Sequence, residues 1–304
     1  MGSTAKSDGQ LNIDDETINV TSLDKILYPQ KGITKQSYLH YLIQIHSFML
    51  PFLKNRWLTV KRYPHGMHDD FFYQKNCPDY APDFVETNEH EGIRYIVCNA
   101  LPPLVWLGNQ LALEYHIPFN TIQSSMPAEI VFDLDPPSRE QFSLAVEAAI
   151  LIKDILDRLK LHAFVKTSGN KGIQVYVPLP DDTYTYDETR MFTHFVATYL
   201  VEQNPEKFTI ERLKQNRGSR CYIDYIQHAE GKTIIAPYSL RGNDEALVAT
   251  PLQWDEVKPG LRPEQFSMHT VLERVAQIVC PFAGFEAAKE EQPFRRVLEG
   301  LEKR

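Results

Sequence analysis

Only four cysteines occur in 304 residues, Cys77, Cys98, Cys221 and Cys280, and no two stand in C-x-x-C spacing. Their scatter excludes a zinc ribbon and a disulfide scaffold, and it suits a reducing compartment. No apolar run approaches the roughly 20 residues that a bilayer-spanning helix needs, and no signal-peptide pattern opens the chain. A cytoplasmic protein with no membrane partner is expected. Positive charge is also scarce: 32 Lys and Arg against 40 Asp and Glu leave a net charge of −8. That balance argues against broad, nonspecific affinity for nucleic acid. The basic residues do gather, at Lys54, Arg56, Lys61, Arg62 and Lys75, and again at Arg212, Lys214, Arg217 and Arg220. A local binding groove on an acidic body is therefore expected.

Set against these absences is Val131-Phe132-Asp133-Leu134-Asp135-Pro136-Pro137, two carboxylates at alternate positions of an otherwise apolar run. A strand points both to one side, about 7 Å apart at Cα, where they can converge on divalent ions. Phe132 and Leu134 then face a core, and the two prolines stop the strand beside the site. An S-x-x-Q capping box at Ser138 and Gln141 follows, and Phe142, Val146, Ala149, Ile152, Ile155 and Leu159 recur at helical spacing.

Residues 164–179 read as strand, glycine-flanked turn and strand, and the turn Ser168-Gly169-Asn170-Lys171-Gly172 gathers a hydroxyl, a lysine and backbone N–H groups. Such a loop cradles phosphate, and an ordinary hairpin turn uses the same residues. A further strand-like run carries Asp224 and Gln227, and another ends on Arg241. Three aspartates on strands with Lys171 and Arg241 are the parts of two-metal nucleotidyl transfer. His65, His68, Asp69, Asp70 and Cys77 are a weaker metal candidate, since they lie in a polar loop with no helix to align them. Helical patterns are clearest over 35–54, 139–160, 189–204 and 264–278.

In order and spacing, FDLDPP, TSGNKGIQVYVPL, IDYIQ, APYSLR and TPLQWDEV resemble the polymerase domain of bacterial ATP-dependent DNA ligase D, in the archaeo-eukaryotic primase superfamily. The resemblance extends to TSLDKILYP, VKRYPHG and FFYQK, so it covers about residues 12–295. It implies an α/β, primase-like fold whose RRM-like catalytic sheet with flanking helices packs against an N-terminal α/β portion. Residues 1–10 are expected to be a flexible tail or cloning remnant. Residues 11–304 then form one primase-polymerase domain, 11–125 contacting DNA and 126–304 catalytic. Lys6-Ser7-Asp8-Gly9 matches the K-x-D-G signature of nick-sealing ligases, but no strand precedes it and no ligase domain follows.

The resemblance implies Asp133, Asp135 and Asp224 as catalytic metal ligands for two Mn²⁺ or Mg²⁺ ions. It implies nucleotide contacts at His116, near the sugar, and at Ser168, Lys171, Gln174, Arg217, Gln227 and Arg241. Lys25, Lys35, Lys61 and Lys75 with the base-stacking Phe71 and Phe72 are the implied DNA contacts. Gln174 departs from the family pattern, which commonly has histidine there; Gln donates a hydrogen bond but cannot become cationic. The implied activity is template-dependent filling and extension of DNA gaps and ends bearing a 5′-phosphate, in non-homologous end joining, with NTPs preferred to dNTPs. The implied partners are Ku and an ATP-dependent ligase domain, in a nucleoid-associated setting. A glycosyltransferase would also use the DxD pair, but it has no need of a third strand aspartate. A non-catalytic module recognising 5′-phosphate ends has no need of all three.

Overall fold

The computed structural model describes residues 7–303. They form two compact units. The first takes in the described residues up to Ile117 together with Ile235–Val248 and Ser267–Gln277. Within it, β1 (Gly9–Ile13) and β2 (Glu16–Val20) form a hairpin, and β3 (Ile26–Tyr28) and β4 (Ile33–Thr34) form a second. Residues 1–6 of the expected tail lie outside the described residues, as does Lys6 of the K-x-D-G match. Gly9 and Gln10 are strand rather than tail, paired with Val20 and Asn19.

Helix α1 (Lys35–Leu53) starts where Thr34 accepts the Ser37 N–H, satisfying a donor that the helix cannot. Its inner face buries Tyr38, Leu39, Tyr41, Leu42 and Ile45. The phenol of Tyr41 reaches the Tyr238 carbonyl at 2.7 Å, so the buried hydroxyl is not left unpaired. Two strands, β5 (Thr59–Arg62) and β6 (Phe72–Gln74), then lead to the hairpin β7 (Thr87–His90) and β8 (Ile93–Ile96), to α2 (Leu101–Asn109) and to β9 (Ala112–Pro118). A four-stranded sheet runs Thr233–Ile235, β9, β5, β6. Gly108 lets α2 lie close to α1, since a Cβ there would meet the Leu42 side chain at 2.4 Å.

The second unit is Pro118–Ile234, Ala249–Phe266 and the residues from Ile278 onward. Its elements run β10 (Glu129–Asp135), α3 (Phe142–Arg158), β11 (Phe164–Thr167), β12 (Ile173–Pro178), α4 (Tyr186–Gln203), β13 (Phe208–Thr209), the short α5 (Lys214–Arg217) and β14 (Cys221–Asp224). The sheet order is β13, β14, β10, β12, β11 and an edge strand Pro251–Leu252. The central four strands and two helices follow the β-α-β-β-α-β plan of RRM-like sheets. Phe132 and Leu134 are fully buried, and Phe132 meets Phe192 of α4 edge-on. The opposite face is closed at one end by Phe164, Tyr176, Phe282 and Phe285 and carries the carboxylates at the other.

The capping box expected at Ser138 is not formed. Helix α3 begins at Phe142 with Gln141 as its N-cap and no side-chain cap bond, three residues later than a box opened by Ser138 requires; the Gln141 amide donates to the Ser219 carbonyl at 3.3 Å. The C-terminal pattern at 264–278 shortens to a helix at Met268–Val275. No helix among the described residues is long and apolar enough to cross a membrane.

Candidate active site

Strand β10 sits at the centre of the site. Asp133 stands directly opposite Gln174 of β12 on one side and Asp224 of β14 on the other. Lys166 of β11 stands opposite Gln174. Because side chains alternate along a strand, Lys166, Gln174, Asp133 and Asp224 form a row on one face, and Asp135 projects to the same face. Opposed side chains in such pairs have Cβ atoms about 4.5–5.5 Å apart, so Asp133 and Asp224 crowd one another.

Their charges are held unwillingly. Burial pushes the Asp133 carboxyl up to about 6; the Gln174 amide, donating at 3.0 Å, works against this, while the charges of Asp224 and Asp135 add to it. Asp224 is also raised, by burial first, with bonds from the Tyr222 hydroxyl (3.1 Å) and the Gln227 N–H (2.9 Å) offsetting part of the rise. Gln174 Oε1 is buried with no partner. Divalent cations relieve such a set of acceptors. No group of three or more His, Cys, Asp or Glu among the described residues makes a ready-formed metal cage. Small hard cations are commonly held by one or two carboxylates plus substrate phosphates, so the donor set fits ions that share their coordination with a nucleotide.

Asp135 is gripped at both oxygens, by Lys171 at 3.0 Å and Arg217 at 3.2 Å. Lys171 also donates to the Pro136 and Pro137 carbonyls at 2.7 and 3.3 Å. The Arg217 guanidinium lies 3.7 Å over the Tyr222 ring and donates to the Glu211 and Arg212 carbonyls. These groups with Lys214, Gly218 and Arg220 line a cleft of about 270 Å³, in which four cations face one carboxylate. A larger, open hollow of about 930 Å³ lies along Val201, Thr209–Leu213 and Asn216, sharing only Arg220 with the cleft and holding none of the aspartates. The smaller cleft is the one suited to a phosphate chain. Ser168 serves its own turn: its hydroxyl accepts the Gly172 N–H at 3.0 Å and the Asn170 N–H at 3.3 Å. Gly172 is required, because a Cβ would stand 2.5 Å from the Leu134 carbonyl oxygen. The Gln227 amide is committed to the Thr233 carbonyl at 2.7 Å.

In the first unit, Glu114 of β9 is buried, 2% exposed, and gathers three of the sequence-predicted residues, Lys61, His116 and Arg241. Its Oε1 accepts from Tyr63 Oη (2.8 Å), the Gly242 N–H (3.0 Å) and Lys61 Nζ (3.4 Å). Its Oε2 faces His116 Nε2 at 3.1 Å and Arg241 Nη1 at 3.4 Å. Burial alone would lift Glu114; the His116 bond and the Arg241 and Lys61 charges overcome it and hold the carboxyl well below the usual range. Burial in turn lowers His116, against the pull of the Glu114 hydrogen bond and charge. Sequence reasoning missed Glu114. The available signal was Glu-x-His alternating with Leu113, Tyr115 and Ile117, which puts both polar residues on one face.

Both Phe71 and Phe72 are exposed, 50% and 43%, and they lie under different cations: Lys61 Nζ is 3.6 Å from the Phe71 ring and Arg62 is 5.2 Å from the Phe72 ring. Lys75 is exposed. Lys25 donates to the Pro64 carbonyl. Lys35 is 2% exposed and donates to the Thr21 carbonyl at 2.7 Å, and burial lowers its ammonium to about 8. As placed, Lys35 anchors a turn and does not offer a free cation.

A sheet with three carboxylates on one face beside a cation-lined cleft has the parts of a nucleotidyltransferase, a class whose chemistry depends on divalent ions. The chain belongs to the LigD primase-polymerase domain family, whose model matches residues 34–282. It is 50% identical over 287 residues to the bifunctional non-homologous end joining protein LigD of Bacillus subtilis, covering 94% of this chain and 47% of that protein. It is 33% identical over 268 residues to the multifunctional non-homologous end joining protein LigD of Mycolicibacterium smegmatis, covering 86% and 35%. The chain thus spans about half the length of these relatives or less. Among solved structures it is similar to the polymerase domain from Mycobacterium tuberculosis ligase D in complex with DNA, with a TM-score of 0.81, 31% identity, and 89% and 98% of the two chains covered. The fold is accordingly archaeo-eukaryotic primase-like.

Proposed function

We propose that this chain extends and fills DNA ends and gaps by template-directed nucleotidyl transfer in non-homologous end joining. The observation that carries this reading is the row of Asp133, Asp224 and Asp135 on one sheet face, beside a cleft walled by Lys171 and Arg217. In the reaction a primer 3′-oxygen bonds to the α-phosphorus of a nucleoside triphosphate, the bond to the bridging oxygen breaks, and pyrophosphate leaves. Mn²⁺ or Mg²⁺ ions, when bound by the three aspartates, lower the pKa of the attacking hydroxyl and neutralise the phosphates.

The residues around them have separate tasks. Gln174 orients Asp133, and Lys171 and Arg217 release Asp135 to meet the triphosphate. In the first unit, Phe71 and Phe72 offer faces on which bases stack with little regard to sequence. Lys25, Lys61 and Lys75 meet the DNA backbone and the 5′-phosphate, and His116 and Arg241 meet the nucleotide. Ribonucleotides are preferred, and the partners are Ku and an ATP-dependent ligase domain, in a cytoplasmic, nucleoid-associated setting.

Extension of a labelled primer on a gapped duplex bearing a 5′-phosphate, with Mn²⁺ and each NTP or dNTP, tests the reading. Templated addition by the wild type and none by Asp133→Ala/Asp135→Ala is expected. Binding of the gapped duplex with no addition would instead make the chain a 5′-phosphate end-recognition module.

A further inference from the structure

Glu114 is a charged group in a place where charge is costly, and all five of its partners are donors. A carboxylate has about four lone-pair sites, so this one is saturated and has nothing to give back. That fixes the chemistry of His116. Its Nε2 must carry the proton that Glu114 accepts, and a neutral imidazole has only one N–H, so Nδ1 is left as a lone pair. Glu114 attracts a second proton, but burial, the largest influence, opposes it, as do the positive charges of Arg241 and Lys61, and the balance lowers the imidazole. Among the described residues Nδ1 has no hydrogen-bond partner, and it is not sealed from solvent. A bare acceptor at this point suits a ligand hydroxyl and gives nothing to a ligand that lacks one.

The same carboxylate sets the neighbours. It pins the Arg241–Gly242 turn through the Gly242 N–H, and Tyr28 Oη holds the Arg241 carbonyl at 2.9 Å. A side chain at 242 would push the Tyr63 phenol out of place, since a Cβ would stand 1.9 Å from its Oη. Lys61, opposite Glu114 across β5 and β9, is drawn over the Phe71 ring.

We propose that Glu114 is a positioning residue that holds His116 in its Nε2–H tautomer, so that Nδ1 accepts a hydrogen bond from a sugar hydroxyl of the incoming nucleotide. This rests on the nucleotidyl-transfer reading. Two readouts test it on the full chain. With ¹⁵N-labelled histidine, multiple-bond ¹H–¹⁵N correlation reads the tautomer, the His116 signals being those lost in His116→Gln. Wild type shows Nε2–H at neutral pH. In Glu114→Gln the amide oxygen turns to the end with three donors, its NH₂ faces His116, and the ring switches to Nδ1–H.

The second readout is kcat/KM for single addition of ATP, 2′-deoxyATP and 3′-deoxyATP. The preference for ATP over one of the deoxy analogues falls about ten-fold in Glu114→Gln and in His116→Gln, and the analogue affected identifies the hydroxyl. A wild-type His116 protonated at Nδ1 or at both nitrogens overturns the proposal. So does an unchanged preference in a Glu114→Gln protein whose tautomer has switched. If Glu114→Gln does not fold, the wild-type tautomer and the His116→Gln preference decide. Wild type that adds no nucleotide at all sinks the parent reading instead, and the tautomer still decides what Glu114 does.

Discussion

Glu114 in the first unit and Asp133 in the second are both carboxylates on strands with apolar neighbours, yet their surroundings differ in sign. Five donors, two of them cationic side chains, converge on Glu114 and depress its pKa. Asp133 has one amide donor, faces Asp224 across the sheet, and is pushed up to about 6. A saturated carboxylate is finished structure. One that is crowded by its own kind is stabilised only when something else arrives.

Substitution separates the two most sharply. Asp133→Asn removes a charge that folding raises in energy, so primer extension falls by on the order of 10²–10³-fold or more. Its thermal midpoint stays level or rises, and a fall of several degrees would remove Asp133 from the reacting centre. Glu114→Ala does the reverse, leaving buried Tyr63 and half-buried Lys61 and Arg241 without their shared acceptor. A loss of about 3–5 kcal/mol in denaturant unfolding is expected; a loss below about 1 kcal/mol would show that its donors find water.

The glycines beside each cluster extend the comparison to backbone. Gly172→Ala and Gly242→Ala each force a clash, with the Leu134 carbonyl and the Tyr63 phenol respectively. Each costs about 1–3 kcal/mol, by the measure of overpacking. Full stability in either would mean that the close approach is relaxed in solution.

The smallest effect concerns His228, buried against Phe119 with Nε2 2.9 Å from Thr189 Oγ1 and Nδ1 unpartnered. Burial pushes it down to about 3, below the usual value of 6.5. Its stabilisation is complete above pH 6.5 and is lost as pH falls toward 3, because only the unfolded chain then takes up the proton. Wild type should lose stability more steeply than His228→Gln in that window, by at most about 1.4 kcal/mol per pH unit. Parallel slopes would place a charged histidine in the folded protein.

How much of this was legible in the sequence follows from which interactions are local. Period two alone puts Asp133 and Asp135 on one face, and the turn at 168–172 announces its hairpin. That Asp224 stands opposite Asp133 depends on sheet order, which periodicity does not carry. The Ser138 capping box matched its pattern and still failed, because the helix starts three residues further on, at Phe142. Glu114 escaped notice because its meaning comes from Lys61 and Arg241, far from it in the chain. Lys35 matched the family's DNA-contact pattern in sequence, and only the fold shows that the Thr21 carbonyl holds it.

The first unit is completed by Ile235–Val248 and Ser267–Gln277, which return to it after more than a hundred residues spent elsewhere. During synthesis Glu114 therefore leaves the ribosome long before Arg241 and Gly242 do, and its carboxylate stays hydrated until they emerge. A gene fragment ending near residue 230 would encode Lys61, Tyr63 and His116 without the turn that shares their acceptor. Dissecting the protein by simple truncation would thus report on an incomplete cluster, whereas point substitution leaves the order of assembly intact.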